Sequence, residues 1–386
     1  MPIKISSGDP AFDALPDAVA QWIDDSSLTL ALGAQPATGF RSGNAPVIEL
    51  GTQAQALAAA IYYSTDVTSA LDVFLKAPLP DGALYHSFAP LTALVGIQKL
   101  LGSLFCGAGF DDHLRAVRLG RNHLCNDVES LAVLGVQRAW KANGDLAWLR
   151  NQLPILDRAI NNRLHHIHHW SSEMELPKRA FTLDRWPVEW GSDAKNSCTF
   201  SDDTKWCVHP GDAAALFEAC QALAKLHAAT GDLTSESHWL ECATHLEAQT
   251  NSVCWNGQFY THQIHLVPAR VRGVDEARQL ASCNTRAMVS GLASQEQCAA
   301  IIKEYQRRRE LLLETSFCEW WSIQPPFPEG AFPIAPGVSA NGGIWPRVGG
   351  ELALAALEHG FENYGVETLR RFHDLAVKSG RTFPSY

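Results

Sequence analysis

Two turns constrain the fold of this chain more than any other feature. Lys141-Ala142-Asn143-Gly144-Asp145 and Ala228-Ala229-Thr230-Gly231-Asp232 each join two stretches whose apolar residues recur at helical spacing. In both turns Gly can take the left-handed position that ends a helix, and Asp can cap the helix that follows. The spacing therefore predicts two helical hairpins. One pairs about Asn126–Ala142 with Leu146–Asn161, its apolar face carried by Leu131, Leu134, Val136 and Trp140; the other pairs Asp212–Ala229 with Ser235–Thr250. Further pairs are expected at Thr52–Tyr63 with Ser69–Lys76, at Leu91–Leu101 with Asp112–Leu119, and at Gly350–Glu358 with Val366–Lys378. Strand signals are scarce.

Helical hairpins in succession form an open solenoid or close into a toroid. The pairs here lack a fixed short period. The segments between them far exceed the roughly 4–6 residues of an ordinary connection. Long loops on a helical scaffold build sites, so the expectation is an all-α closed barrel whose long loops form the cleft. One domain spans residues 1–386, with 1–40 a lead-in segment or an extra helix.

The late loops hold the aromatics. Trp320-Trp321-Ser322-Ile323-Gln324-Pro325-Pro326-Phe327 is followed by Asn341-Gly342-Gly343-Ile344-Trp345-Pro346-Arg347. Pro removes a backbone donor and restricts the residue before it, which rules out a continuous helix here. Aromatic rings beside amide and guanidinium groups suit a sugar cleft, where ring faces stack on pyranose C–H and forked polar groups take hydroxyls. On that reading Trp320, Trp321 and Trp345 wall the site, and Gln324, Asn341 and Arg347 read hydroxyls. The other reading is a structural loop whose Trp side chains plug the end of a helical bundle.

Composition narrows the partners. The 386 residues are 46% hydrophobic and carry a formal net charge of −10, which with no compensating basic cluster excludes nucleic acid or an anionic membrane as main partner. Arg307-Arg308-Arg309 reads as a solvated helix face. No apolar run approaches the roughly 20 residues of a membrane span. Met1-Pro2-Ile3-Lys4-Ile5-Ser6 lacks the apolar core of a signal peptide. The ten Cys are scattered and none forms C-x-x-C, so reduced thiols in a cytoplasmic protein are expected. His165 and His169 have the i, i+4 spacing of a metal pair, but no neighbouring acid completes it. No metal and no cofactor is expected.

Thr182-Leu183-Asp184-Arg185-Trp186-Pro187-Val188-Glu189-Trp190-Gly191-Ser192-Asp193 packs three carboxylates and two Trp into one loop. Glycosidic cleavage needs one carboxylic acid at the bridging oxygen and a second carboxylate to activate water or attack the anomeric carbon. An indole face beside a carboxyl raises its pKa and suits it to be the acid. Solvated acids in a polar loop are the competing reading. Arg41, in Gly39-Phe40-Arg41-Ser42-Gly43-Asn44, either grips substrate or pins its own loop.

Glu189-Trp190-Gly191-Ser192-Asp193 and Asn341-Gly342-Gly343-Ile344-Trp345-Pro346 resemble signatures of the six-hairpin glycosidases. That superfamily includes mannosylglycerate hydrolase-like and trimming-glucosidase-like enzymes and, more distantly, the alkaline/neutral invertases. The resemblance follows helix order over most of the chain. It implies an (α/α)6 toroid, inversion of configuration and Asp193 as general acid. Trp186 and Trp190 are expected to wall the sugar site with the later Trp residues, and Glu189 to bind substrate. Related families place the base in a Pro- and Tyr-containing segment after the last long hairpin. Here that segment reads Phe383-Pro384-Ser385-Tyr386 and holds no carboxylate. Either the base lies elsewhere, with Glu351 the first choice and Glu319 the second, or the chain departs from the family mechanism, or a natural C-terminal extension is absent. The expected function is an exo-acting glycoside hydrolase on a small oligosaccharide or glycoside. A sugar 2-epimerase using His on the same scaffold and a non-catalytic carbohydrate-binding barrel are the alternatives.

Overall fold

The computed structural model describes residues 3–32, 35–41, 43–90, 117–184, 186–187, 202–312 and 317–379. Helical hairpins dominate it. In chain order the helices are α1 (Pro10–Asp13), α2 (Leu15–Ser26), α3 (Leu50–Ala60), α4 (Ser69–Leu75), α5 (Val128–Asn143), α6 (Leu146–His165), α7 (Pro210–Thr230), α8 (Leu233–Cys254), α9 (Cys283–Val289), α10 (Gln295–Glu310), α11 (Pro346–Glu358) and α12 (Glu362–Ser379). The two diagnostic turns form as expected: Gly144 and Gly231 both have positive φ, and the Asp145 carboxylate accepts from Ala147 N and Trp148 N, each at 2.9 Å.

The expected Leu91–Leu101 helix and most of its partner lie outside the described residues. The end of that partner is a correction: Val117–Gly120 is a strand, paired antiparallel with Ser87–Pro90. Residues 1–40 hold two short helices and then an antiparallel hairpin, Ser27–Leu32 with Gln35–Phe40. The α9–α10 hairpin is not among the expected pairs. Its signal is present in sequence, since Ser294 and Gln297 form a reciprocal capping box.

The chain divides into two compact units, residues 1–169 with 196–200 and 219–243, and residues 170–195 with 201–218 and 244–386. In the first, α3 packs on α5. Its polar centre is Glu129, fully buried, 2.8 Å from Arg121 Nη1 and 3.3 Å from Arg163 Nε. Glu129 also accepts from Leu84 N at 2.9 Å. One carboxylate thus ties two guanidinium groups and a loop to α5. Burial holds the Arg163 pKa down to about 10.

The second unit carries the late loops. Phe181, Leu183, Val271, Ile323 and Phe327 form a core under them, with Phe332, Ile334 and Trp345 packed at its edge. The helix pairs α11–α12, α9–α11 and α10–α11 supply the scaffold. Trp320 closes the helical end of this core: a Cβ at Gly349 would lie 2.4 Å from its indole, so only glycine admits the ring.

Candidate active site

The α11 helix begins at Pro346, which fits a helix's first position because its missing N–H would have no partner there. That start fixes Arg347 and Glu351 one turn apart on the same face, with Arg347 Nη1 2.9 Å from Glu351 Oε1. The second Glu351 oxygen accepts from the Thr285 hydroxyl of α9 at 2.6 Å. Arg347 Nη2 reaches Ser282 Oγ at 3.2 Å. Ser282 Oγ in turn donates to Asp184 Oδ1 at 2.6 Å, and Ser282 N donates to the same oxygen at 3.2 Å. A continuous polar chain, Asp184–Ser282–Arg347–Glu351–Thr285, therefore links three segments of the second unit.

Access differs along that chain. Asp184 is fully buried, whereas the Glu351 side chain keeps 15% and Arg347 21% of their surface open. Asp184 also has φ +48. It occupies the tight turn between strands Thr182–Leu183 and Trp186–Pro187, where Leu183 pairs with Trp186. Asp tolerates the left-handed region better than most residues, and such positions concentrate at functional sites. Trp345 adds an aromatic wall: its ring lies under the Arg347 guanidinium at 5.7 Å, and its Nε1 donates to Ser339 O at 3.1 Å.

The other expected site residues separate. Asn341 is buried and spends its amide on the loop: Oδ1 accepts from Phe327 N at 2.8 Å, and Nδ2 donates to Phe327 O at 3.1 Å and Ile334 O at 2.8 Å. Trp320 is fully buried against Gly349, Phe317 and Phe372, which is the plugging role. Trp321 and Gln324 instead line a groove with Arg278 and Arg308. Glu319 is fully buried and accepts from the Tyr364 hydroxyl, and burial with the neighbouring Glu319 charge pushes the Tyr364 pKa up. Arg41 belongs to the first unit, where its N–H donates to Ser26 O at 2.9 Å. Glu189, Trp190 and Asp193 lie outside the described residues, and of Trp186 only the backbone is described.

Two buried imidazoles sit under the site. His209 and His262 are fully buried with rings 5.8 Å apart. His262 Nε2 lies 3.3 Å from Asp184 O, and burial holds its pKa down to about 4, so it is neutral near pH 7. Nearby, His265 Nε2 lies 2.9 Å from Glu276 Oε2. Among the described residues no group of three His, Cys, Asp or Glu is placed to hold a metal ion, and no helix is long and apolar enough to cross a membrane. Cys207, Cys220, Cys254, Cys283, Cys298 and Cys318 are buried thiols. Sequence reasoning missed Ser282 and Thr285; small hydroxyl residues at a helix start carry no signal of a carboxylate partner arriving from another helix.

No protein-family model and no curated protein sequence matches the chain. Solved structures do. The GH63 mannosylglycerate hydrolase from Thermus thermophilus in complex with glucose is 16% identical, with a TM-score of 0.60 over 94% of this chain and 91% of that one. The same enzyme in complex with Tris gives 14% identity and a TM-score of 0.62 over 96% of each chain. A rhamnosidase from Klebsiella oxytoca with rhamnose bound gives 12% identity and 0.60, over 100% of this chain and 59% of that one. These are six-hairpin glycosidases, and the chain has their (α/α)6 fold.

Proposed function

We propose that the protein is an inverting, exo-acting glycoside hydrolase that cleaves a small oligosaccharide or glycoside. The observation that carries this reading is the Glu351 carboxylate. It is oriented by Thr285 and Arg347 and left partly open, and Arg347 lies over the Trp345 ring. A base must present an oriented carboxylate oxygen to water. The orientation and partial opening of Glu351 support it in that role, while Glu319 is closed off with Tyr364. The neighbours are named for sugar hydrolysis, and one holds glucose.

In the proposed reaction Asp193 gives its proton to the glycosidic oxygen as the C–O bond breaks. Glu351 takes a proton from water as that water bonds to the anomeric carbon from the opposite face. Inversion requires a separation of about 6.5–9.5 Å between the two carboxyls to admit the water. Arg347 fixes the Glu351 rotamer through its fork and is itself fixed by Ser282 and Asp184. The epimerase alternative needs imidazoles that reach the sugar, and His209 and His262 are both fully buried.

The test is a pair of variants, Asp193→Asn and Glu351→Gln, with glycoside turnover and sugar binding measured on each. Loss of about 10²–10⁴-fold in turnover with binding retained is expected for each. Turnover like that of the wild type in either variant removes that residue from the mechanism.

A further inference from the structure

Trp320 and Trp321 are neighbours with opposite fates. Successive side chains of extended backbone point to opposite faces. Trp320 goes into the helical core, and Trp321, bridged through its backbone to Ile344, stays half open. The open indole lines a groove of about 410 Å³ together with Gln324, Pro325, Leu311, Arg278 and Arg308. That volume lies in the range of small-molecule sites, roughly 300–1,000 Å³. The groove shares no residue with the Asp184–Ser282–Arg347–Glu351–Thr285 chain.

Its wall is braced. Arg308 of α10 donates through Nε to Glu304 at 2.7 Å, through Nη2 to Arg278 O at 3.0 Å, and through Nη1 to Gln324 O. Its guanidinium also stacks over Phe259 at 5.4 Å. One Arg thus pins the backbones of Arg278 and Gln324 to α10. Among the described residues no protein group hydrogen-bonds the Gln324 amide. Arg278 is 82% exposed and, among the described residues, its side chain makes only an open pair with Asp275, so its guanidinium remains available to a ligand. A flat aromatic face, a free amide fork and an accessible guanidinium around a braced groove match one pyranose ring: C–H on the indole, hydroxyls on the amide and guanidinium.

We propose that this groove is a second saccharide-binding site, taking one ring of a neutral oligosaccharide on Trp321 with Gln324 and Arg278 on its hydroxyls. It binds without reacting, and it holds whether or not the protein hydrolyses glycosides.

The test is saturation-transfer NMR with maltotriose and cellotriose on wild-type protein and on Trp321→Ala, Gln324→Ala and Glu351→Gln. Transfer to pyranose C–H protons of at least one trisaccharide is expected in the wild type. Trp321→Ala should weaken it about tenfold or more, Gln324→Ala several-fold, and Glu351→Gln should keep it, because that carboxylate lies outside the groove. Circular dichroism checks the fold of each variant, and Gln324→Ala decides alone if Trp321→Ala does not fold. No transfer in the wild type, or wild-type transfer in the folded groove variants, overturns the proposal. So does binding that disappears in folded Glu351→Gln.

Discussion

Arg347 Nη1 donates to Glu351 Oε1 across one turn of α11, while Nη2 of the same guanidinium holds Ser282 Oγ. The fork is what lets one side chain serve both partners. Lysine keeps the charge but has a single nitrogen and cannot reproduce the planar geometry. Arg347→Lys should therefore leave the fold intact and lower kcat/KM. Losing one hydrogen bond to a charged group, about 1.5–3 kcal/mol, corresponds to roughly 10–100-fold. Steady-state kinetics check this, and unchanged kcat/KM would detach Arg347 from the proposed reaction.

The first unit has its own buried charge cluster, and it makes a stability prediction independent of function. Glu129→Ala leaves the buried Arg121 and Arg163 guanidinium groups without their carboxylate. Breaking a buried pair from one side costs about 3–5 kcal/mol. Urea unfolding should report a loss of that order, and a loss below about 1 kcal/mol, the scale of an exposed pair, would contradict it.

Adjacent glycines of α11 should respond in opposite directions. At Gly349 a Cβ meets the Trp320 indole at 2.4 Å, while at Gly350 it meets nothing within 4 Å. Gly349→Ala should destabilise by about 1–3 kcal/mol through overpacking. Gly350→Ala should stabilise by about 0.5–1 kcal/mol, because alanine loses less backbone freedom in a helix. Thermal unfolding of the two variants side by side decides it.

The hairpin scaffold was legible in the sequence because its signals are local. Gly144 and Gly231 in left-handed turns and Asp145 on two N–H groups are governed by residues within a few positions. The site was only half legible. Arg347 and Glu351 share a helix turn, so their meeting is a matter of spacing. Ser282, Thr285 and Asp184 reach them through tertiary packing that no local pattern encodes. Asn341 illustrates the limit in the other direction. An amide in a Gly-rich loop looks the same in sequence whether it reads a sugar hydroxyl or, as here, three backbone groups of its own loop. Trp320 and Trp321 read as one motif, yet the chain's alternation sends one to the core and one to a groove.

Stability should fall with acid in a way traceable to His262. Burial holds its pKa at about 4 in the folded protein, against an ordinary 6.5. Between these values the unfolded chain binds a proton that the folded one does not, so folding is progressively disfavoured as pH drops from 6.5 toward 4. The gap corresponds to roughly 3 kcal/mol. His86, likewise held at about 4 by burial, adds a slope of the same sign. His262→Gln should flatten the pH dependence of the urea-unfolding free energy across that window without abolishing it. A slope identical to the wild type would contradict the assignment.

The proposed chemistry is tested most directly by following the wild-type protein with α- and β-linked disaccharides and small glycosides by proton NMR from the first minutes. An inverting hydrolase releases a sugar whose first anomeric signal is opposite to that of the substrate, before mutarotation mixes the two. That signal, lost in Glu351→Gln, is the predicted result. A first product of retained configuration, or an epimer formed without cleavage, would contradict the account.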